Sequence, residues 1–327
     1  MAGNNLAGAN GRVQSHLHPT ASFELGDHGV PLGREEIWRF TPLEKINDLL
    51  LGDAATGDLA WDVHLPAGVT CAEISESEAI GLGAPAPMDR IAAVAASQAA
   101  SVTRIDIPRG GVIGEPIVVN ICGTGQRNYQ HLLFTVGELA QVTIVLKHTG
   151  SLRLGALVSL VAGASSQVNF VSVQDWDADA VHAAQFSVLV GRNAQIKTAV
   201  ATVGGSLVRL TQTASFDDPG GRLEQYGMYF VDEGQHIENR LFVDHNAPHT
   251  ASKVDYRGAL QGEGARSVWV GDVLIRKVAE GIDTYESNKN LLLTHGCRAD
   301  SVPNLEIETG EIQGAGHSST TGRFDDE

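Results

Sequence analysis

Apolar residues recur at every second position through much of the chain after about residue 103. Val142, Ile144 and Leu146 illustrate this spacing. Short runs rich in Val, Ile, Thr and Phe are separated by Gly, Asn and Asp, which are typical of turns. The pattern predicts that this part of the chain consists of successive β-strands.

The chain before residue 103 has a different pattern. Apolar residues between Arg34 and Leu51 recur at helical spacing, although Pro42 should open or interrupt a helix there. The alanine-rich segment 88–102 also predicts a helix. Residues 1–22 are rich in Gly, Ala, Asn and Ser, and we expect them to form a disordered tail.

A motif of the form G-x-x-x-Q, followed by a β-forming residue, occurs four times. Its glycines are Gly137, Gly163, Gly191 and Gly221, and its glutamines are Gln141, Gln167, Gln195 and Gln225. The intervals between successive glycines of this motif are of a length that is typical of solenoids. In such a fold each repeat is one coil, with a turn glycine and a strand that stacks on the next coil. A β-sandwich whose turn glycines happen to fall at similar intervals is the alternative.

We therefore predict a mainly β fold, a parallel β-helix preceded by a small helical region. The predicted organisation is a disordered tail at 1–22, an N-terminal helical or mixed region at 23–102, and the β-helix core at 103–327.

Composition and charge narrow the function. Lys and Arg number 23 against 39 for Asp and Glu, which gives a net charge of −16. This is the wrong sign for binding phosphates, so we expect no nucleic-acid partner. The three cysteines are widely separated and odd in number, which fits a reducing cytoplasm. No segment approaches the ~18 apolar residues that predict a membrane span, and no export signal is evident.

Common catalytic motifs are missing from the sequence. It contains no G-x-x-x-x-G-K-[ST] phosphate loop, no G-x-S-x-G and no H-E-x-x-H. His245 and His249 have the spacing of helical metal ligands, but Pro248 disfavours a helix there. The acidic pair Asp217 and Asp218 precedes Pro-Gly-Gly and is better explained as a turn.

His317 is the candidate ligand. It lies among small polar residues that give an imidazole little apolar cover, so we expect it to be accessible. A neutral imidazole binds iron well, and an accessible histidine at a subunit boundary could hold iron or a cluster. The alternative is an ordinary hydrogen-bonded surface side chain. Cys122 and Cys297 are interpreted as buried structural thiols, and Trp38 and Phe40 as core residues.

Several segments, in this order, resemble the SufB/SufD family of iron–sulfur cluster assembly proteins. The resembling segments lie at 33–43, 226–230, 235–237, 243–245, 252–258, 290–293, 302–307 and 317–323. The family shares a right-handed parallel β-helix, so the resemblance implies that fold.

Within this family, the chain is more similar to SufD-type than to SufB-type members. SufB-type chains have a cysteine at the position of Asn288 and a Glu-His-Glu at positions 316–318, where this chain has Gly316, His317 and Ser318. SufD-type chains place a histidine at the SufB–SufD interface, and His317 matches it. SufD-type chains often have a cysteine near that histidine, and this chain does not.

The resemblance implies a non-catalytic scaffold that pairs with SufB through the end of the β-helix and works with the ATPase SufC. A transient iron–sulfur cluster or iron would then be held with His317, with no tightly bound cofactor and with a homodimer as an option when SufB is absent. The family's C-terminal helical domain, which docks SufC, is not expected within this sequence. Two alternatives stay open: a β-helical carbohydrate-active enzyme, and a purely structural interaction module.

Overall fold

The computed structural model describes residues 20–324. Three α-helices lie near the N-terminus, at Asn47–Leu51 (α1), Glu76–Gly81 (α2) and Arg90–Gln98 (α3). Short 3₁₀ helices span Leu25–Asp27 and Leu43–Lys45. The strands are β1 Ala60–His64, β2 Thr70–Ile74, β3 Val102–Ile107, β4 Ile117–Val136, β5 Gln141–Ala162, β6 Gln167–Trp176, β7 Val181–Val190, β8 Gln195–Val203, β9 Leu207–Phe216, β10 Arg222–Val231, β11 His236–His245, β12 Ala251–Leu260, β13 Arg266–Ile275, β14 Asp283–Leu292, β15 Arg298–Ile307 and β16 Gly314–Arg323.

The strands form a parallel β-solenoid, which confirms the predicted β-helix and excludes the β-sandwich alternative. From β5 onward they stack into two ladders in the order β15-β13-β11-β9-β7-β5-β6-β8-β10-β12-β14-β16. Every pairing along this order is parallel. Each coil therefore contributes one even-numbered and one odd-numbered strand, and apolar side chains from both ladders fill the lumen between them.

The first three G-x-x-x-Q repeats mark equivalent positions in successive coils, because Gln141 pairs with Gln167 and Gln167 with Gln195. The preceding glycines allow close contact between coils. A Cβ at Gly191, for example, would lie 2.5 Å from the carbonyl oxygen of Ala162. The fourth repeat was wrongly aligned: Gln195 pairs with Arg222, and Gln225 lies three residues further along, buried inside the lumen.

The N-terminal region packs on the outer face of the odd-numbered ladder. Trp38, Ile46, Leu49 and the apolar side of α3 cover residues of β5, β7 and β9. The helix predicted for 88–102 is confirmed as α3. The helix expected over 34–51 is mostly turns, with α-helical structure only in α1 after Pro42. The tail predicted at 1–22 falls largely on residues 1–19, which lie outside the described residues.

Buried charges anchor this N-terminal region. The Glu238 carboxylate accepts hydrogen bonds from Thr41 Oγ1 at 2.9 and 3.1 Å and from Arg240 Nε at 2.6 Å. Asp89, at the N-terminus of α3, accepts a hydrogen bond from Arg209 Nη1 at 2.7 Å. Because these groups are almost fully buried and partnered across the two regions, they fix the N-terminal region on the solenoid.

The two ends of the solenoid differ. At the N-terminal end, β1 pairs antiparallel with the first half of β4, and β3 pairs with its second half and is itself covered by β2. At the C-terminal end, β15 pairs only with β13 and β16 only with β14 among residues 20–324. Within the described residues, one end therefore finishes in the short antiparallel strands β1 and β2, and the other in the unpaired outer edges of the parallel strands β15 and β16. No helix between residues 20 and 324 is long and apolar enough to cross a membrane.

Candidate functional site at the open end of the solenoid

The last strand carries the predicted ligand. β16 consists mainly of small residues and lies in register on β14, with His317 opposite Glu286 and Ser319 opposite Asn288. On β14, the alternate residues Thr284, Glu286 and Asn288 are buried. The register gives their β16 partners the same orientation, toward the lumen. These β16 residues are exposed because no further coil covers them within the described chain.

His317 is accordingly exposed at the mouth of the lumen, as the sequence predicted. Among residues 20–324 its imidazole has neither a hydrogen bond nor an ion pair. The ring nitrogens are therefore not committed to the fold. An imidazole in this position can bind a metal ion without breaking a hydrogen bond or an ion pair among the described residues.

Asn288 occupies the position at which SufB-type chains have a cysteine. It is fully buried, accepts hydrogen bonds from Ser301 Oγ at 2.8 Å and from Asn290 Nδ2 at 2.7 Å, and donates to Tyr229 Oη at 3.0 Å. The tyrosine hydroxyl in turn donates to Asn290 Oδ1. The amide is therefore part of a satisfied polar network that stabilises the terminal coils, and it supplies no thiol chemistry.

Glu286 is a functional candidate that the sequence reasoning missed. Its side chain is 1 % exposed, and neither carboxylate oxygen has a hydrogen-bond partner among residues 20–324. Burial, with a smaller contribution from the charge on Asp272, raises the pKa of Glu286 to about 8. An acidic residue at a lumen-facing position of a strand, one coil from His317, was the signal available in the sequence.

The cysteines are not brought to His317. Cys71 on β2 and Cys122 on β4 lie at the opposite end of the solenoid, and both are exposed. The interpretation of Cys122 as a buried thiol was wrong, because its side chain faces outward near the edge covered by β1. Cys297 is buried, as predicted, with its sulfur 3.4 Å from the carbonyl oxygen of Gly262.

No group of three or more His, Cys, Asp and Glu side chains that could hold a metal ion occurs within residues 20–324. Within this part of the chain, His317 is therefore not one of three or more clustered side chains of these types.

The other sequence candidates are structural. His245 is buried on β11, where its ring stacks on Phe216 and forms hydrogen bonds with the hydroxyl groups of Thr250 and Ser252. His249 lies in the following turn, so the pair does not share a helix. Asp217 and Asp218 lie in the turn before β10, as predicted. Trp38 is buried, as predicted, and contacts the guanidinium of Arg209 at 3.9 Å. Phe40 is half-buried.

An internal cavity of about 30 Å³ lies farther inside the lumen. His148, His182 and Gln174 contribute polar atoms to its largely apolar wall. Burial lowers the pKa of His148 to about 3, so this imidazole is neutral at physiological pH. A space of this size holds no more than one or two water molecules and is too small for a cofactor.

Comparison with known proteins agrees with this architecture. The family model described as "SUF system FeS cluster assembly, SufBD core domain" matches residues 119–327. This range includes most of the solenoid and the whole open end.

Individual relatives support the same family. Proteins of Mycobacterium tuberculosis and Mycobacterium leprae, each named as an iron–sulfur cluster assembly SufBD family protein, are 43% identical to this chain. The alignments cover 94% of this chain and 80% and 81% of those proteins. The iron–sulfur cluster assembly protein SufD of Escherichia coli is 23% identical, over 97% of this chain and 81% of its own length. The chain therefore belongs to the SufBD family of iron–sulfur cluster assembly proteins.

Proposed function

We propose that this chain is a SufD-type scaffold subunit without catalytic activity of its own. It pairs with a SufB-type partner through the open end of its solenoid and works in the cytoplasm with the ATPase SufC, which supplies the energy of ATP hydrolysis. Iron or a nascent iron–sulfur cluster is the cargo, held transiently at the boundary between the two subunits.

The observation that carries this proposal is the placement of His317 on β16, the last strand of its parallel ladder, whose outer edge is unpaired among residues 20–324. β15 and β16 have unpaired backbone groups along the outer side of the last coil among the described residues. Such edges are templates for pairing with another chain. The small side chains of β16 allow a partner to approach closely, and His317 would then face the seam.

The chemistry follows from the ligand types. An imidazole nitrogen is a borderline ligand for iron, and the partner would supply the thiolates that this chain lacks near His317. Because His317 is exposed and has no hydrogen bond within residues 20–324, its bond to iron can form and break without disturbing this part of the fold. An exchangeable ligand of this kind suits a scaffold that must release its product.

Co-expression of the tagged chain with SufB and SufC tests this function. We expect recovery of both partners with bound iron and sulfide. The His317→Ala variant should still recover SufB, but the amount of iron in the recovered complex should be at least ~10-fold lower. The matched control is His295→Ala, which removes another exposed histidine from the same end of the solenoid. Failure to recover SufB would overturn the proposed partnership.

A second candidate function is a structural module in which His317 only packs at the subunit boundary. The same experiment separates the two. Full iron and sulfide recovery with His317→Ala would favour the structural module, because a side chain that only packs is not needed to hold iron. The alternative of a carbohydrate-active enzyme is replaced by the family assignment.

A further inference from the structure

Glu286 differs from Glu238 and Asp89, the two deeply buried carboxylates that anchor the N-terminal region. Glu238 and Asp89 are buried to a similar extent, but each accepts hydrogen bonds from arginine and threonine side chains. Neither oxygen of Glu286 has any such partner among residues 20–324. A buried carboxyl group without a partner destabilises the fold, so its presence at a particular place calls for a functional reason.

The location of Glu286 links it to His317. The two residues are register partners on adjacent strands, and both are oriented toward the lumen. Adjacent strands lie ~4.8 Å apart. Bonds from a first-row divalent metal to a carboxylate oxygen and to an imidazole nitrogen are ~2.1 Å each, so together they span a similar distance. The register of the two strands is therefore compatible with a single ion bound by both side chains.

The facing ladder leaves room for the carboxylate. A Cβ at Gly271 would lie 2.8 Å from Glu286 Oε2 and 2.3 Å from Cη2 of Trp269. Glycine at this position thus leaves the space that the Glu286 side chain and the indole ring occupy. The Trp269 indole N–H also lacks a partner among the described residues. The last covered coil therefore contains a desolvated acidic group beneath an exposed, uncommitted imidazole.

We propose that Glu286 is a second protein ligand for ferrous iron at the mouth of the lumen, binding the same ion as His317. On binding, one Glu286 oxygen coordinates the metal and any proton on the carboxyl group passes to solvent, with no change in oxidation state. Carboxylate and imidazole together are a ligand set that Fe(II) accepts readily. This inference rests on the proposed role of His317 and adds that the chain itself binds iron before any partner supplies sulfur ligands.

The test is an anaerobic titration of the purified full chain with Fe²⁺ by calorimetry, repeated with Co²⁺ by visible absorption. Glu286→Gln keeps the size of the side chain and removes its acidic group. We expect one ion per chain, bound at least ~10-fold more weakly by Glu286→Gln and by His317→Ala. Asp283→Asn is the control, because Asp283 lies on the same strand and faces the opposite, exposed side.

A double variant provides a second, independent readout. If both side chains bind one ion, the second substitution costs much less affinity than it does in the wild-type chain. Fe²⁺ affinity that is unchanged in Glu286→Gln would overturn the inference, as would an absence of Fe²⁺ binding by the wild-type chain.

Thermal melting of each variant in the absence of metal shows whether it is folded. If Glu286→Gln does not fold, Glu286→Met replaces it in the same titration.

The outcome is separable from that of the proposed function. Recovery of SufB with an iron-containing complex, combined with normal Fe²⁺ binding by Glu286→Gln, would reject Glu286 as a ligand and leave the proposed function intact. Loss of Fe²⁺ binding in both variants, without recovery of SufB, would support the iron site and reject the proposed pairing with SufB.

Discussion

Replacing Glu238 with Gln tests how the N-terminal region is held on the solenoid. Glu238 is fully buried and lies between two buried arginines, with Arg240 Nε at 2.6 Å and Arg209 Nε at 3.4 Å from the same oxygen, Oε1. Thr41, from the N-terminal region, donates to both of its oxygens. The substitution keeps the shape of the side chain, removes its charge and leaves the positive charge of Arg240 without its nearest counterion.

The expected magnitude follows from burial. Breaking a buried ion pair from one side costs ~3–5 kcal/mol, and we take ~3 kcal/mol here because Arg209 keeps its pairing with Asp89 at 2.7 Å. An unfolding entropy of ~2.1 cal/mol/K per residue then predicts that the melting temperature falls by roughly 4–5 °C. The exposed carboxylate Glu115 provides the control, and Glu115→Gln should change stability by less than ~0.5 kcal/mol.

The pH dependence has a definite sign. Burial raises the pKa of Glu238, but the hydrogen bond from His236 and the charges of Arg240 and Arg209 outweigh burial and hold the pKa well below its usual range. The carboxylate therefore stabilises the fold above pH ~4.5, the value in the unfolded chain, and this contribution declines as the pH falls below it. The Glu238→Gln variant should not show this part of the decrease in folding stability at acid pH.

Urea denaturation at pH 7 and at pH 4, followed by circular dichroism, measures both effects. Limited proteolysis should also show faster cleavage between residues 20 and 100 in Glu238→Gln, since this region loses a fixed point of attachment. A loss below ~1 kcal/mol at pH 7 with unchanged proteolysis would refute the argument that these buried charges hold the two regions together.

Three further outcomes are expected. Burial lowers the pKa of His245 to about 3, so below pH ~6.5 the unfolded chain takes up a proton at this residue and the folded chain does not. The melting temperature should therefore decrease as the pH falls below ~6.5, and it should decrease less steeply in His245→Gln. Gly227→Ala should cost ~1–3 kcal/mol in urea titrations, because its Cβ would lie 2.0 Å from the Tyr256 ring, whereas Gly114→Ala meets no atom within 4 Å and should cost much less. A thiol reagent should label the two exposed cysteines of the native chain rapidly and the buried third only after unfolding.

The solenoid was predictable because its signals are local and repeated. Turn glycines at regular intervals and apolar residues at every second position both appear in one sequence without further information. The register of a single repeat is a weaker signal. Gln225 matches the motif, yet it lies inside the lumen, and Arg222 occupies the position of Gln195 in the next coil. Hydrogen bonding between coils decides the register, and the sequence does not show it directly.

The N-terminal region shows where sequence patterns fail. Residues 34–46 have helical spacing, but Pro42 and contacts with the solenoid favour turns over a continuous helix. The strands β1 and β2 were not predicted, because their residues are mostly exposed and their pairing is with distant strands. Long-range pairing of this kind overrides local propensity.

The candidate site was half predictable. The exposure of His317 followed from the small polar residues around it, and the structure confirms that exposure. Glu286 was missed because its significance depends on two facts that only the fold provides. One is that β14 lies directly beneath β16, and the other is that the carboxylate has no partner among the described residues.

The unequal ends of the solenoid also limit stoichiometry. Head-to-tail stacking, in which the end of one molecule joins the beginning of the next, would propagate into a filament. Among residues 20–324, the beginning presents the outer edges of β1 and β2, which are five residues long and run antiparallel to their neighbours, whereas the end presents β15 and β16, which are ten residues long and run parallel to theirs. The two kinds of edge do not match, so head-to-tail stacking would not continue the ladders. Contact between two β15–β16 ends would join edges of equal length and leave neither of these edges for a further copy. An arrangement of this kind favours closed pairs over filaments.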